Sequence, residues 1–356
     1  MSSIKMAKLS ESLEECAEHI RNGHLVAFPT ETVYGLGANA LNPSAVQSIF
    51  LAKKRPLTDP IIVHITSWSE ALPLISEPDP LILSIASSLA TKFWPGPLTL
   101  VLRHSPQISP ILTAGTPFIG LRSPNHPQAL SLITQSGCPI AAPSANLFSH
   151  VSPTKASHVF DDFHDSQFDI KILNGGQCTI GIESTVVKII NPDSGPEVQI
   201  LRRGGISEDS LVSALGEGIK VTVKQNFSGV DVANEAPGQL IKHYSPNVEC
   251  FLLENGESGE LVANVQETVL IEFGKEEDEG WKARVGLSDE GDVEESMQGL
   301  YDCLRWAEVQ GGKVIVLKVE NKLVGPLASA LWDRMYRATS GRRVVRVGDN
   351  IYNKAN

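Results

Sequence analysis

Hydrophobic positions recur along this chain with two periods, and together they predict alternating helices and strands. Leu13, Cys16, Ala17 and Ile20 share one face of a helix over residues 10–22, and Gly23 can supply its left-handed stop. The unbroken apolar run at residues 24–28 predicts a strand buried on both faces. Asn42-Pro43 then joins an N-cap to a proline in the first helical position, and Val46, Ile49 and Phe50 form the buried stripe of the helix it opens. Pro56 and Pro60 stop that helix before a second buried strand at residues 61–65. Helical stretches at residues 81–93 and 128–135 alternate with short apolar runs at 98–102, 118–121 and 139–142, the pattern of a mixed α/β domain.

From residue 216 to 247 the periodicity fades into a linker around Ala236-Pro237-Gly238 and Lys242-His243-Tyr244. Beyond it, strand-like runs at 250–253, 269–273 and 314–319 alternate with helices at 295–310 and 326–339, in the last of which Leu327, Leu331 and Met335 line one face. The expected organisation is therefore a domain over residues 1–215, a linker or lid over 216–247, and a smaller doubly wound, Rossmann-like α/β domain over 248–356.

Composition narrows the chemistry. The chain has 356 residues, 42% of them hydrophobic, enough for about two cores. No run reaches the roughly 20 apolar residues of a membrane span, and no signal core follows the N-terminus, so a cytoplasmic protein with no membrane association is expected. Five scattered cysteines without a C-x-x-C pair suggest neither a disulfide framework nor a structural zinc site. The net charge of -11 opposes non-specific nucleic-acid binding by the whole molecule, while leaving room for a local basic pocket.

Polar chemistry gathers where the apolar runs end. Thr30, Thr32 and Tyr34 follow the first buried strand, Lys53, Lys54 and Arg55 end the next helix, and His64 closes the second strand. Later turn-rich stretches contribute Arg122, Ser144, Asn146, Ser152, Ser184 and Arg202. Each has an ordinary structural reading: helix-end cations favour the helix dipole, and serines and asparagines cap turns. Their recurrence at successive strand ends instead points to convergence on one site. Gly35 to Ala40 spells G-x-G-x-x-A, but the strand ends well before the first glycine and the helix opens only at Asn42, which excludes a dinucleotide fingerprint. A Walker loop, a G-x-S-x-G elbow and an H-E-x-x-H helix are all absent from the sequence.

The stretches Phe28-Pro-Thr-Glu-Thr-Val-Tyr-Gly-Leu-Gly37, Lys53-x-Arg55, Pro60-Ile-Ile-Val-His64, Trp94-Pro-Gly-Pro-Leu-Thr99, Ala142-Pro-Ser-Ala-Asn146 and Ile182-Glu-Ser-Thr185 closely resemble the YrdC-like threonylcarbamoyl-AMP synthases. The match runs from about residue 10 to 205, and the remainder resembles the long, two-domain form of the enzyme. The resemblance implies a twisted mixed sheet around a concave basic cavity. It also implies a reaction of L-threonine, bicarbonate and ATP that gives threonylcarbamoyl-adenylate and pyrophosphate. A downstream threonylcarbamoyl transferase would use that product to modify tRNA.

By the same resemblance Thr32, His64, Arg122 and Ser184 surround L-threonine. Lys53, Arg55, Ser144, Asn146, Ser152 and Arg202 bind ATP, with Lys53 and Arg55 as the catalytic cations. Mg2+ is expected as the companion ion of ATP, because no cluster of carboxylates stands near these residues in the sequence. One departure from the family is Ile241, where long-form enzymes often place an aromatic residue before the His-Tyr pair. The competing reading is a non-catalytic RNA-binding module using the same basic cavity, with at most a weak tRNA contact. A carbamoyltransferase of hydrogenase maturation would need C-x-x-C pairs that this chain lacks.

Overall fold

The computed structural model describes residues 7–224, 234–237, 244–274, 279–319 and 323–355. By its internal contacts the chain forms two compact units. The first comprises Met1–Phe148, Pro153–Thr179 and Glu183–Leu240, and the second Ser149–Ser152, Ile180–Ile182 and Ile241–Asn356.

The first unit opens with β1 (Lys8–Ser10), α1 (Leu13–Arg21), β2 (Leu25–Phe28), β3 (Gly35–Asn39), α2 (Pro43–Lys53) and β4 (Val63–His64). It continues through α3 (Trp68–Ala71), α4 (Pro80–Phe93), β5 (Leu98–Arg103), β6 (Phe118–Arg122), α5 (Pro127–Ser136) and β7 (Ile140–Ala141). The remaining elements are α6 (Ala156–Phe163), β8 (Ile170–Leu173), β9 (Thr185–Ile190), β10 (Glu197–Arg202), α7 (Glu208–Leu215) and β11 (Lys220–Val223). Among the described residues the strands make one mixed sheet in the order β1-β8-β2-β3-β7-β4-β6-β5-β9-β10-β11. Parallel and antiparallel pairs are interspersed: β4 runs parallel to β6 and antiparallel to β7.

Burial on both faces explains why β2 reads as a continuous apolar run. Leu25 and Ala27 pack into one cluster with Val46 and Ile49 of α2, while Val26 and Phe28 pack into another with Ile20 of α1 and Leu132 of α5. A third cluster joins α4 to β5, β9 and β10 through Leu89, Leu100, Val187 and Ile200.

The local signals act largely as the sequence dictates. Asn42 Oδ1 accepts from the backbone amides of Ser44 and Ala45, and Pro43 starts α2. Helix α1 begins later than expected, because Ser12 rather than Ser10 caps it by accepting from the Glu15 amide, and Ser10 belongs to β1. The second buried strand is also shorter than expected. Ile61 donates its amide to the Leu112 carbonyl in the loop before β6, and only Val63–His64 enters the sheet. The stretch from Gly35 is strand β3, hairpinned to β2 in antiparallel register, which accounts physically for its failure to behave as a phosphate loop.

In the second unit the strands are β12 (Glu249–Leu253), β13 (Ser258–Asn264), β14 (Thr268–Glu272), β15 (Ala283–Gly286), β16 (Val314–Lys318), β17 (Arg343–Val347) and β18 (Asn350–Lys354). Its helices are α8 (Val293–Glu308) and α9 (Ala328–Ala338). The order is β13-β18-β17-β12-β16-β14-β15, in which the five strands from β17 to β15 are parallel and β18 and β13 add an antiparallel edge. Among the described residues no helix is long and apolar enough to cross a membrane.

Candidate active site

Helix α2 sets the first part of the site by the way it ends. Lys54 takes the left-handed conformation at the C-cap (φ 55°) and is exposed, so Lys53 and Arg55 on either side of it turn inward. Lys53 is 1% exposed, and its ammonium donates to the carbonyl oxygen of Ser144 at 2.6 Å and to that of Asn146. The same loop is stitched to the hairpin of β2 and β3. The Leu36 amide donates to the Pro143 carbonyl, the Ala145 amide donates to the Tyr34 carbonyl, and Gly35 and Ser144 form an isolated bridge. Lys53, Ser144 and Asn146 are therefore brought together.

Arg55 differs from the exposed helix-end cation that sequence alone suggests. It is buried, pairs with Asp59 at 2.9 Å, and donates through Nε to the Asp59 carbonyl and through Nη2 to the Pro60 carbonyl. This fork clasps the turn that delivers the chain into β4. Asp59 was not anticipated as a partner, although its position four residues after Arg55 was the available signal.

A second group centres on Arg122 at the end of β6. Its Nη1 donates to Thr32 Oγ1 at 2.9 Å, its Nε to the Gly96 carbonyl at 3.3 Å, and its Nη2 lies 2.8 Å from Glu31 Oε2. The hydroxyls continue in one direction, Thr32 to Thr30 and Thr30 to the Val33 carbonyl, at 2.8 and 2.7 Å. Thr30 Oγ1 also accepts from the amides of Thr32 and Val33, which fixes the turn whose outer residue is Glu31. His64 is the register partner of Arg122 across the parallel strands β4 and β6 and stacks edge-on against Phe28. Complete burial, followed by the Arg122 charge, lowers its pKa to about 3, so the imidazole is neutral at physiological pH.

Ser184 and Arg202 form a third group. Arg202 Nη2 donates to Ser184 Oγ at 3.0 Å and Nε to the Ser184 carbonyl at 3.1 Å, and the Ser184 and Thr99 hydroxyls share a hydrogen bond of 2.8 Å. The loop before β5 links this group to the Arg122 group. Gly96 accepts from Arg122, and the Pro97 carbonyl accepts from the Thr185 amide. Gly204 has no room for a side chain, since a Cβ there would lie 2.3 Å from the Glu183 carbonyl oxygen and 2.4 Å from the Thr185 nitrogen. Arg202 also donates to the Pro237 carbonyl at 3.4 Å, and Ala236 is buried beside Val101, Val186 and Leu201.

Ser152 is buried and belongs to the second unit. There Arg305 donates to the Val151 carbonyl, and His150 pairs with Glu308 at 3.0 Å. Residues 238–243, which include Ile241 and His243 of the linker, lie outside the described residues. Glu31 and Thr99 also face these groups, beyond the residues that the sequence singles out.

Two family descriptions match this chain. Residues 18–204 match the family described as telomere recombination, and residues 206–340 match the C-terminal domain of threonylcarbamoyl-AMP synthase. A threonylcarbamoyl-AMP synthase of Pyrococcus abyssi is 40% identical over 342 residues, 93% of this chain and 94% of that protein. One from Bacillus subtilis is 42% identical over 243 residues, 68% of this chain and 66% of that protein. The crystal structure of P. abyssi Sua5 complexed with L-threonine superposes with a TM-score of 0.79 at 34% identity, covering 96% of this chain and 99% of that one. With both units matched and the likeness spanning nearly its whole length, the chain belongs to the threonylcarbamoyl-AMP synthase family.

Proposed function

We propose that this protein condenses L-threonine, bicarbonate or carbon dioxide, and ATP into L-threonylcarbamoyl-AMP with release of pyrophosphate, the activated intermediate for N6-threonylcarbamoyladenosine in tRNA. The observation that carries the reading is the buried guanidinium of Arg122, hydrogen-bonded to Thr32 and register-paired with a neutral His64. Arg122 takes the threonine carboxylate as a planar fork, and Thr32, Ser184 and His64 read the rest of the molecule. A neutral imidazole suits this role, since it can donate or accept without repelling a cationic amine.

Lys53, Arg55, Ser144, Asn146, Ser152 and Arg202 serve ATP. The chemistry joins a carbamate oxygen to the α-phosphorus as pyrophosphate leaves, and it is governed by positioning and charge neutralisation rather than by a covalent protein intermediate. Lys53 and Arg55 neutralise the charge that develops on the phosphates. Magnesium enters with ATP as its companion ion, carried on the phosphates of the substrate.

The catalytic domain, expected over residues 1–215, extends through β11 (Lys220–Val223), which completes its sheet, and that sheet frames a concave basic cavity for the two substrates. The linker and lid, expected from residue 216, begin beyond β11 and run to residue 247, partly outside the described residues, and residues 248–356 are a Rossmann-like domain that anchors the far end of the lid. The product passes to a threonylcarbamoyl transferase in the cytoplasm, and tRNA contacts this protein weakly if at all. Pyrophosphate release tests the reading: it should require threonine and bicarbonate together, and valine should support it far less than serine, because a site that hydrogen-bonds a hydroxyl rejects the analogue lacking it. ATP cleavage independent of both would overturn it.

A further inference from the structure

We propose that the Glu31 carboxylate receives the α-ammonium group of the amino-acid substrate, so that Glu31 and Arg122 together read both charges of its zwitterion. The inference rests on the assignment of Arg122 to the substrate carboxylate. Glu31 is 4% exposed, and its Oε2 lies 2.8 Å from Arg122 Nη2. That contact is not aligned as a hydrogen bond. Glu31 Oε1, Glu31 Oε2 and Arg122 Nη2 are all buried without a hydrogen-bond partner among the described residues.

A buried carboxylate that receives no hydrogen bond is costly, and folded proteins keep one only where something compensates it. Its neighbours do not supply the missing donors. The Thr32 hydroxyl donates to Thr30 and the Thr30 hydroxyl to the Val33 carbonyl, so neither hydrogen is directed at Glu31. The other titratable groups that feel the Glu31 charge are His126 at the start of α5 and Cys178. Burial lowers the pKa of His126 and raises that of Cys178 to about 12, so both are neutral near pH 7. Arg122 is thus the cation that faces Glu31, and its Nη1 and Nε are engaged by Thr32 and Gly96.

An α-amino acid fits this arrangement in both charge and valence. Its ammonium brings three donors to two carboxylate oxygens that have none, and its carboxylate brings acceptors to the guanidinium. The four charges sum to zero, so a zwitterion is taken up in a buried setting without an unbalanced ion. The turn built by Thr30 fixes the Glu31 backbone, which pre-organises the carboxylate beside Arg122.

The test compares ligands with and without the amine by titration calorimetry. L-threonine is set against β-hydroxybutyrate of matching hydroxyl configuration, which keeps the carboxylate and hydroxyl and lacks the amine. In the full chain Glu31→Gln should weaken threonine binding about tenfold or more, while leaving the binding of β-hydroxybutyrate unchanged or tighter. Glu31→Asp, which keeps the charge, should bind threonine more tightly than Glu31→Gln. Equal weakening of both ligands, no weakening of threonine, or a Gln variant that binds threonine at least as well as the Asp variant would overturn the proposal and leave Glu31 as a brace for Arg122. Failure of the wild-type protein to bind threonine would instead remove the Arg122 assignment itself, a result visible before any variant is made.

Discussion

His64 and Arg122 are paired in register on adjacent parallel strands, and the burial that surrounds them, together with the guanidinium charge, keeps the imidazole unprotonated. Because its pKa is about 3 in the folded chain against 6.5 for a free histidine, the folded state binds fewer protons between those values. The stabilisation is therefore complete above pH 6.5 and is lost as the pH falls toward 3. Over that window His64 should add about 1.4 kcal/mol of destabilisation per pH unit, a slope that His64→Gln removes. Denaturant titrations of both proteins across the window check it, and identical slopes would contradict it.

Arg55→Ala should cost both stability and activity. The guanidinium is buried against Asp59 and holds the Asp59 and Pro60 carbonyls, so its removal should destabilise the fold on the order of 3 kcal/mol. A fall in pyrophosphate formation in that variant is then ambiguous. Arg55→Lys separates the two effects, since it keeps a cation for the phosphates while losing the fork. Thermal unfolding should place Arg55→Lys between wild type and Arg55→Ala, whereas an unchanged melting temperature in Arg55→Ala would show that the Asp59 pair carries no stability.

Gly204→Ala drives a methyl group into the backbone of Glu183, Ser184 and Thr185, which cannot yield as a flexible side chain would. The displaced Ser184 loses its alignment with Thr99 and Arg202, and a shift of this kind at a positioning residue can cost about a hundredfold in rate. Steady-state kinetics should show the loss chiefly in threonine-dependent turnover. Wild-type kinetics in this variant would mean that Ser184 does not position substrate.

The linker is anchored before it leaves the first unit. Asn234 donates its amide to the Thr58 carbonyl, Glu235 pairs with Lys188, and Ala236 is buried. A chain ending at Glu235 should therefore lose the Arg202 to Pro237 contact and, on the proposed lid reading, the protection of the adenylate from water. It should release pyrophosphate but hydrolyse the bound adenylate faster than the full chain. Equal adenylate lifetimes would show the linker to be a passive tether.

How much of this was legible in the sequence depended on whether a residue's role is local. Asn42, Pro43 and the Val46, Ile49, Phe50 stripe specify α2 within one stretch, and the same helix ending turns Lys53 and Arg55 inward. Strand β3 was obscured because its glycines remove the side-chain alternation on which strand recognition depends. Gly37 tolerates no Cβ against Phe28 and Ile140, a constraint set by distant residues. Strands β13, at the sheet edge, and β18 beside it are hard to read for a related reason, since their mostly polar residues follow no apolar period. The pairing of Glu31 with Arg122 spans 91 positions of chain and depends on the sheet order that brings the turn after β2 to the end of β6.

In the proposed reaction, carbon from bicarbonate is joined to threonine before the adenylate forms. Mass spectrometry of the nucleotide product made from ATP, L-threonine and isotope-labelled bicarbonate tests it most directly. The labelled carbon should appear in a threonylcarbamoyl adenylate, and Arg122→Ala should abolish that species. An unlabelled threonyl adenylate, or AMP alone with no threonine attached at any stage, would rule out the proposed reaction.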